Sequence, residues 1–433
     1  MLVRDTPGCH DCPLREDGNK PFVPDELVEG APALLYFQNP GADEVDQGKP
    51  LVGATGQMME KNFFPLAGLA RGEVSLGNAI RCPWYGRNSL PPLKDKQLQQ
   101  GVAHCTNAHH RVPSGTKAIL AAGEYATYAL TGVLEGFSEW RGYVLPYSPG
   151  GSQLVAVYTP PPVAWHDTPV LVTNHLAYLF RVPSAQVAMK RDWSKLPQLL
   201  ERAWPVRFPV VETDPPKVWP RVSAFDTEFW RDNPAKLERW SMATPDHRVW
   251  VVEARDSGSV PVAPGSIVIG HNIAVDTPHL AKVLSLDDVR LEDTMYADSV
   301  LWSTFPHDLN YLGSLYGRTN RHKHLAHINP IQYSAGDALH TMDVWAALVE
   351  QFTRDPESKW VYEHCQRPLL PIILKAKQTG SKVDRERARV AVEAMHTQQR
   401  EITQRAQASV GWPINVGSSK QVGDWLFKVE GVR

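Results

Sequence analysis

The first half of the chain alternates short apolar runs with segments whose apolar positions recur at helical spacing. Short, mostly apolar runs are typical of strands in parallel sheets, and they span 33–37, 74–76 and 118–121. The segments 58–67 and 124–134 have the period of amphipathic helices. Strands that alternate with helices predict a layered α/β domain.

The second half repeats this pattern and then changes to helix alone. Strand-like runs occupy 222–225, 249–252 and 266–269. Helical patterns follow them at 277–284, 294–302 and 333–352. From Glu363 onward the pattern is mostly helical, and its first helix is expected to end at Gly380. We therefore predict a second α/β domain followed by a helical segment.

Two breaks in the pattern divide the chain. The stretch from Arg207 to Arg221 is rich in proline and lacks a sustained helical period, so it reads as an extended linker. A weaker break lies at 353–358, after an apolar helix pattern ends. The predicted organisation is an N-terminal domain, a linker, a second domain and a helical segment, at 1–206, 207–220, 221–352 and 353–433.

The composition is typical of a soluble globular protein. Of 433 residues, 42% are hydrophobic and 21% are charged, and the formal net charge is −2. The net charge is not basic, so it does not itself indicate nucleic-acid binding. A local basic strip is still compatible with a net charge near zero. The N-terminus has no apolar signal segment, and no run approaches the roughly 18 apolar residues of a membrane helix. We expect a cytoplasmic protein without a membrane partner.

Five cysteines, an odd number, make a disulfide framework improbable in a chain with no export signal. Cys9 and Cys12 form a C-x-x-C pair, and Cys82 and Cys105 follow downstream. Four thiolates can hold zinc or an iron–sulfur cluster, and spacing leaves both open. Cys365 is expected to be a buried, small apolar residue.

Acidic residues recur at the ends of the predicted strands of the second domain. Asp226 and Glu228 are two apart at the end of an apolar strand, so they share one face. Asp276 follows another strand, and Tyr333 and Asp337 are four apart on one helix face. Four acids that converge suit two divalent ions, Mg²⁺ or Mn²⁺, about 4 Å apart. Tyr333 is the candidate that orients the attacking water.

These motifs resemble the DEDD-type 3′–5′ exonucleases of the tyrosine subclass, especially the exonuclease domain of family A DNA polymerases. The resemblance covers about residues 218–352, with three motifs in order. It implies a ribonuclease H-like fold, two catalytic metal ions, and single-stranded DNA or a primer 3′ end as substrate. Asn272, in the second motif, is the candidate substrate-binding residue.

The helical segment resembles the start of the family A polymerase region, at Gly380–Asp384 and Ile414–Val422. The resemblance implies a thumb-like segment of a phage-like polymerase. The palm and its metal-binding aspartates are absent, so we expect no polymerase activity from this chain alone. The alternatives left open are a split polymerase completed by a second chain, a truncated polymerase, and an ordinary helical appendage.

The N-terminal domain resembles the uracil-DNA glycosylase superfamily, in particular its iron–sulfur branch, family 4. The resemblance covers about residues 5–204 and rests on segments 39–44, 47–56, 77–83 and 174–179. It implies a three-layer α/β fold. It also implies a [4Fe–4S] cluster, with zinc as the alternative, on Cys9, Cys12, Cys82 and Cys105.

The same resemblance suggests roles for four residues and a substrate-binding position at Leu51. Asn78 could pair with uracil, because its amide offers both a donor and an acceptor. His175 could stabilise charge on the leaving base, and Gln38 or Asn39 could position water. Three departures leave activity open: Gln38 replaces an acidic residue, Leu51 replaces a phenylalanine that stacks on the base, and Leu176 replaces the proline after the histidine.

A basic run, Arg321–His324, separates the second and third exonuclease-like motifs. Two interpretations remain open for it: a loop that touches DNA phosphate, or a solvated surface segment.

Taken together, the motifs predict a DNA-processing enzyme that combines end trimming with recognition or excision of uracil. The competing hypotheses are a non-catalytic module that binds uracil or DNA, and a scaffold for a separate polymerase chain.

Overall fold

The computed structural model describes residues 2–15, 20–84, 91, 93–134, 136–149, 168–201, 209–230 and 232–429, without the side chain of residue 234. The chain divides into two compact units, Met1–Leu370 and Pro371–Arg433. Residues 202–208, which include the start of the predicted linker, lie outside the described residues. The predicted domain boundaries stay predictions.

The N-terminal α/β domain is built on a five-stranded sheet in the order β2-β1-β3-β5-β4. Its strands are β1 Ala33–Phe37, β2 Val74–Asn78, β3 Ala118–Ala122, β4 Val144–Pro146 and β5 Pro169–Thr173. All neighbours are parallel except β4, which runs antiparallel to β5. The apolar runs of the sequence are therefore central strands that are covered on both faces.

Helices cover both faces of this sheet. They are α1 Ala42–Gln47, α2 Ala54–Asn62, α3 Phe64–Ala67, α4 Lys96–His109, α5 Glu124–Thr131, α6 Phe137–Trp140, α7 Gln186–Trp193 and α8 Leu196–Leu200. Leu35 of β1 enters the core cluster that contains Trp193, whereas Leu34 enters a different cluster with Tyr125. Because successive residues of a strand point to opposite faces, the two clusters are the two sides of a three-layer fold. The predicted layered α/β class is confirmed.

The second α/β domain contains a six-stranded mixed sheet in the order β11-β10-β7-β8-β9-β6. Its strands are β6 Val211–Glu212, β7 Val222–Trp230, β8 Asn233–Ala243, β9 Val249–Glu253, β10 Ile267–Gly270 and β11 Arg290–Asp293. The sequence pattern predicted β7, β9 and β10 but not the short strands β6 and β11, and not the long strand β8. In β8, the charged residues Glu238 and Arg239 interrupt the apolar pattern, and they are half-exposed, as is Leu237. The strand is defined instead by its pairing with β7 and β9.

One long helix crosses the second sheet. The helices here are α9 Thr277–Val283, α10 Thr294–Leu301, α11 Leu309–Tyr316, α12 Pro330–Arg354, α13 Pro356–Val361 and α14 Leu369–Thr379, which spans the boundary of the two units. Ala335, Ala338 and Met342 of α12 pack in one core cluster with Ala224 of β7 and Ile269 of β10. The small alanine side chains in this cluster let α12 approach the centre of the sheet closely.

The two α/β domains belong to one unit and share a buried polar contact. Arg141 forms an ion pair with Asp192 at 2.7 Å and also donates to the Ser314 hydroxyl of α11. Lys195 donates to the carbonyl oxygens of Gly142 and Ser314, both at 2.6 Å. Gly142 has a left-handed φ of 81°, and a Cβ there would lie 2.3 Å from the Ser314 carbonyl oxygen. The contact therefore requires glycine at this position.

The second unit is helical. It contains α15 Arg385–Val410 and α16 Ser419–Asp424, followed by a π-helical turn at Trp425–Val429. The Asp384 side chain caps α15 by accepting from the Arg387 amide, and Gly411 ends the helix with φ 78°. The expected class of α/β domains followed by a helical segment is thus observed.

Cys365 differs from its prediction. It is exposed, on the π-helical turn at Tyr362–Gln366, so the expected burial was wrong. Within the described ranges, no helix combines the length and apolar character needed to cross a bilayer.

Candidate functional site

Three predicted acids of the second domain converge. Asp226 and Glu228 lie on one face of β7, and Asp337 lies on α12 where that helix crosses the sheet. One carboxylate oxygen from each lies within 4.8 Å of the other two. The donor set is all oxygen and largely buried, which fits Mg²⁺ or Mn²⁺.

Asp276 lies beside this group rather than in it. Its Oδ1 accepts from the Thr227 amide at 3.1 Å and from the Thr227 hydroxyl at 2.5 Å. Thr227 sits between Asp226 and Glu228 in the sequence, so the contact ties Asp276 to the same stretch of β7. Nothing in the sequence pattern had singled out Thr227.

Burial and mutual repulsion control the protonation of the acids. Burial, with the charges of Asp337, Asp276 and Glu228, raises the pKa of Asp226 well above its usual value. Burial and the charge of Asp337 raise the pKa of Glu228 to about 7. Burial would also raise the pKa of Asp337, but His322 and Lys323 outweigh it and hold that pKa below its usual value.

The basic run contacts the acids directly. His322 Nε2 lies 2.9 Å from Asp337 Oδ1, and Lys323 Nζ lies 2.5 Å from the same oxygen. Lys323 Nζ also lies 3.3 Å from the Tyr333 hydroxyl. His322 is only 4% exposed, so the solvated interpretation does not describe it. Sequence reasoning had noted this run but had not connected it to Asp337.

Asn272 adopts a left-handed backbone conformation, with φ 58°. Its amide donates to Asp293 Oδ1 at 3.1 Å, and the next amide, of Ile273, donates to Asp293 Oδ2 at 2.8 Å. Asp293 also caps α10 by accepting from Met295 and Tyr296. Asp293 therefore fixes the loop that carries Asn272.

The four candidate cysteines surround one small cavity of the N-terminal domain, with a volume of about 20 Å³. Burial raises the pKa of Cys9 to about 11 and that of Cys82 to about 12. Among the described residues, no three cysteine sulfurs lie within 4.8 Å of one another. Four thiols around one cavity could serve as ligands of either zinc or an iron–sulfur cluster.

A larger cavity, of about 590 Å³, opens at the carboxyl ends of the N-terminal strands. Its described lining includes Asn39, Leu51, Asn78 and His175, but not Gln38. The Gln38 side chain instead lies beside Gly123, where an added Cβ would meet its Nε2 at 2.5 Å. The volume lies within the range of ligand pockets.

Leu51 and Asn78 are held by their backbones. Leu51 has φ 55° and is 2% exposed, and its amide donates to Glu44 Oε1 at 2.6 Å. The Asn78 amide donates to Asp25 Oδ1 at 3.4 Å, and Asp25 forms a buried ion pair with Arg81 at 2.5 Å. These contacts present both positions to the cavity with little freedom.

His175 is held as a neutral donor. Its Nδ1 accepts from the Ala177 amide at 3.2 Å, and its ring lies edge-on to Phe37. Burial lowers its pKa to about 4. A neutral imidazole that accepts at Nδ1 carries its proton on Nε2, so Nε2–H is available as a donor.

A family model for the uracil DNA glycosylase superfamily matches residues 24–204. The N-terminal domain belongs to this superfamily. Two curated type-4 uracil-DNA glycosylases are similar to it: that of Pyrobaculum aerophilum is 35% identical over 74 residues, and that of Archaeoglobus fulgidus is 30% identical over 96 residues. The chain spans 37% and 47% of their lengths, and the matches cover 17% and 22% of this chain.

DNA polymerase I of Chloroflexus aurantiacus is 29% identical over 119 residues, which are 26% of this chain and 12% of that protein. Among solved structures, Brucella melitensis NrnC with bound Mg²⁺ has a TM-score of 0.33 and 18% identity, over 40% of this chain and 96% of its own. The polymerase domain of Pol1 from M. smegmatis also has a TM-score of 0.33, with 17% identity, over 48% of this chain and 36% of its own.

The raised pKa of Glu228 predicts a pH-dependent stability without metal. A folded-state pKa of about 7, above the ordinary 4.5, means that the folded protein binds this proton more tightly than the unfolded chain. The free energy of unfolding in EDTA should therefore fall as pH rises through this interval, by at most about 3 kcal/mol before solvent screening. Urea unfolding across the interval measures it.

Glu228→Gln should flatten that decline, because it removes the titrating group. The matched control is Glu357→Gln, at an exposed position of α13, which should keep the wild-type slope. Equal slopes for wild type and Glu228→Gln would contradict the prediction.

Proposed function

We propose that the second α/β domain is a 3′–5′ exonuclease that uses two divalent metal ions to hydrolyse DNA. The observation that carries the proposal is the convergence of Asp226, Glu228 and Asp337 from β7 and α12. Tyr333, four residues before Asp337 on α12, has its hydroxyl within 3.3 Å of Lys323, which itself contacts Asp337. The acids that would bind metal and the Tyr333 hydroxyl that would orient water therefore lie close together.

The residues of the site have separate tasks. Asp226, Glu228 and Asp337 would hold the ions, and Asp276, bound to Thr227, would complete the acidic group. When bound, the ions would lower the pKa of a water and stabilise charge on the leaving oxygen. Tyr333 would orient the attacking water through its hydroxyl, whose pKa is raised to about 12 by burial and the charge of Asp337, so it remains a proton donor.

The partial similarity to a DNA polymerase I supports DNA as the substrate. A primer 3′ end or a single strand fits such a site because two-metal chemistry needs an accessible phosphodiester.

A second function is favoured by the pocket of the N-terminal domain: recognition or excision of uracil. The neutral His175 presents Nε2–H, which could stabilise negative charge on a departing base. Asn78 lines the same cavity with an amide that could pair with uracil. A flipped nucleotide must enter such a pocket before either event.

The four cysteines of that domain would hold an iron–sulfur cluster. What supports the proposal is that all four cysteines line one cavity, together with the partial similarity to type-4 uracil-DNA glycosylases. The cluster would hold the N-terminal segment, which carries Cys9 and Cys12, against α4, which carries Cys105.

We expect wild-type protein to shorten a 5′-labelled DNA strand from its 3′ end in the presence of Mg²⁺. Asp226→Asn should lower this rate at least about 100-fold, because it removes a metal ligand. Tyr333→Phe should lower it by up to about 100-fold, because the water loses its orienting hydroxyl. Denaturing gels of time courses measure both rates.

Asp256→Asn, at an exposed turn outside the site, is the matched control and should cleave like wild type. Shortening by wild type that survives in Asp226→Asn would rule out this site as its source.

For the pocket, we expect wild-type protein to create alkali-labile sites at uracil in a single strand, or to bind that strand more tightly than a thymine control. Asn78→Ala should lose the effect by about 100-fold, because a site built for hydrogen bonds then lacks its partner. Asn107→Ala, at an exposed position of α4, is the control. Selective binding without alkali-labile sites would favour a recognition module over an enzyme.

For the cysteines, anaerobically purified protein should contain iron and sulfide and show broad visible absorption, which zinc lacks. Cys82→Ser should lose both, whereas Cys365→Ser, at an exposed thiol, should keep both. Zinc in place of iron would overturn the cluster assignment.

A further inference from the structure

The segment Arg321–Leu325, between α11 and α12, lies between the two α/β domains and contacts both. Its side chains contact two different neighbours. His322 and Lys323 reach the acidic site, whereas Arg321, His324 and Leu325 contact the N-terminal domain. Five consecutive residues thus connect the glycosylase-superfamily fold to the exonuclease-like acids.

On the N-terminal side, the contact is made by the end of α6. The Arg321 guanidinium donates to the Glu139 carboxylate and lies 4.7 Å from the centre of the Trp140 ring. The His324 ring lies 5.2 Å from the same indole. Leu325 packs with Trp140, Leu145 and other buried residues of the N-terminal domain. The Arg321 side chain is 7% exposed and that of Glu139 is 54% exposed, so loss of this carboxylate would leave a buried guanidinium without that partner.

On the other side, the segment supports α12. His322 packs on Gly336, where an added Cβ would lie 2.2 Å from the imidazole Cγ. Its Nε2 and the Lys323 ammonium both bind Oδ1 of Asp337. Lys323 also lies 4.8 Å from the centre of the Tyr333 ring. The segment therefore restricts both the carboxylate and the tyrosine of the site.

Further contacts between the two domains hold α11, the helix that precedes this segment, against the N-terminal domain. Tyr143 donates to the Asn310 carbonyl oxygen at 3.1 Å and stacks on His340 of α12. Together with the Arg141, Asp192 and Lys195 network, these contacts fix α11 against the N-terminal domain. Buried hydrogen-bonded pairs resist sliding because a broken pair leaves an unpaired charge away from water.

We propose that Glu139 and Trp140 of the glycosylase-superfamily domain are positioning residues of the exonuclease site, acting through Arg321–His324 on Asp337 and Tyr333. The inference rests on the proposed exonuclease function. It gives the N-terminal domain a second role, independent of uracil: it completes the site of its neighbour.

The test uses the full chain with Glu139→Gln, which keeps size and hydrogen bonding but removes the charge. We expect kcat for shortening of a single strand to fall about 10-fold, with KM changed less than about 2-fold, because the reacting centre and not DNA binding is disturbed. The matched control is Glu60→Gln, which removes an ion pair with Arg71 within the N-terminal domain and should leave kcat unchanged.

A double-mutant cycle separates positioning from general destabilisation. In a Lys323→Met background, Glu139→Gln should lower kcat less than about 2-fold further, because its path to Asp337 is already broken. A full 10-fold loss in that background, or no loss in the wild-type background, would overturn the proposal.

Amide hydrogen exchange supplies a readout that does not depend on cleavage. Glu139→Gln should speed exchange in 321–325, including the Leu325 amide that is bonded to the His322 carbonyl oxygen, but not in β10. If wild type does not cleave DNA, the proposed function falls while faster exchange still supports the positioning contact. Unchanged exchange in an active protein would instead overturn the positioning contact alone.

Discussion

The burial of several acids close together on β7 and α12 is the constraint around which the second domain is arranged. Carboxylates buried within a few ångströms of one another disfavour ionisation, and the raised pKa values of Asp226 and Glu228 express this cost. Lys323 and His322 offset part of it at Asp337. Divalent ions, if bound as proposed, would offset the rest, so the geometry that costs stability would also favour metal binding.

That arrangement depends on packing well away from the acids. α12 approaches the sheet through Ala335 and Ala338, and only this approach carries Asp337 to β7. His322 and Lys323 reach Asp337 from a segment whose other side chains contact the N-terminal domain. The two domains are thus mechanically linked, which differs from a tandem of independent modules joined by a linker.

The pocket of the N-terminal domain differs electrostatically from the acidic group of the second domain. Burial lowers the pKa of His175, and its Nδ1 accepts from a backbone amide, so the neutral ring carries its proton on Nε2. Asp25 and Arg81 neutralise one another in the core and fix the backbone at Asn78. Two of the departures from the family pattern, Gln38 and Leu51, have their own local reasons: Gln38 packs beside Gly123, and Leu51 belongs to the apolar core.

By itself, the sequence determined the strands with mostly apolar runs, the long helix α12, and the pairing of Asp226 with Glu228 and of Tyr333 with Asp337. These are local properties, because strand and helix periods follow from neighbouring residues. The burial of His322, the role of Thr227 and the strand β8 came only from tertiary structure. Their causes are contacts between segments far apart in sequence, such as Glu139 with Arg321 and Thr227 with Asp276, which no local period encodes.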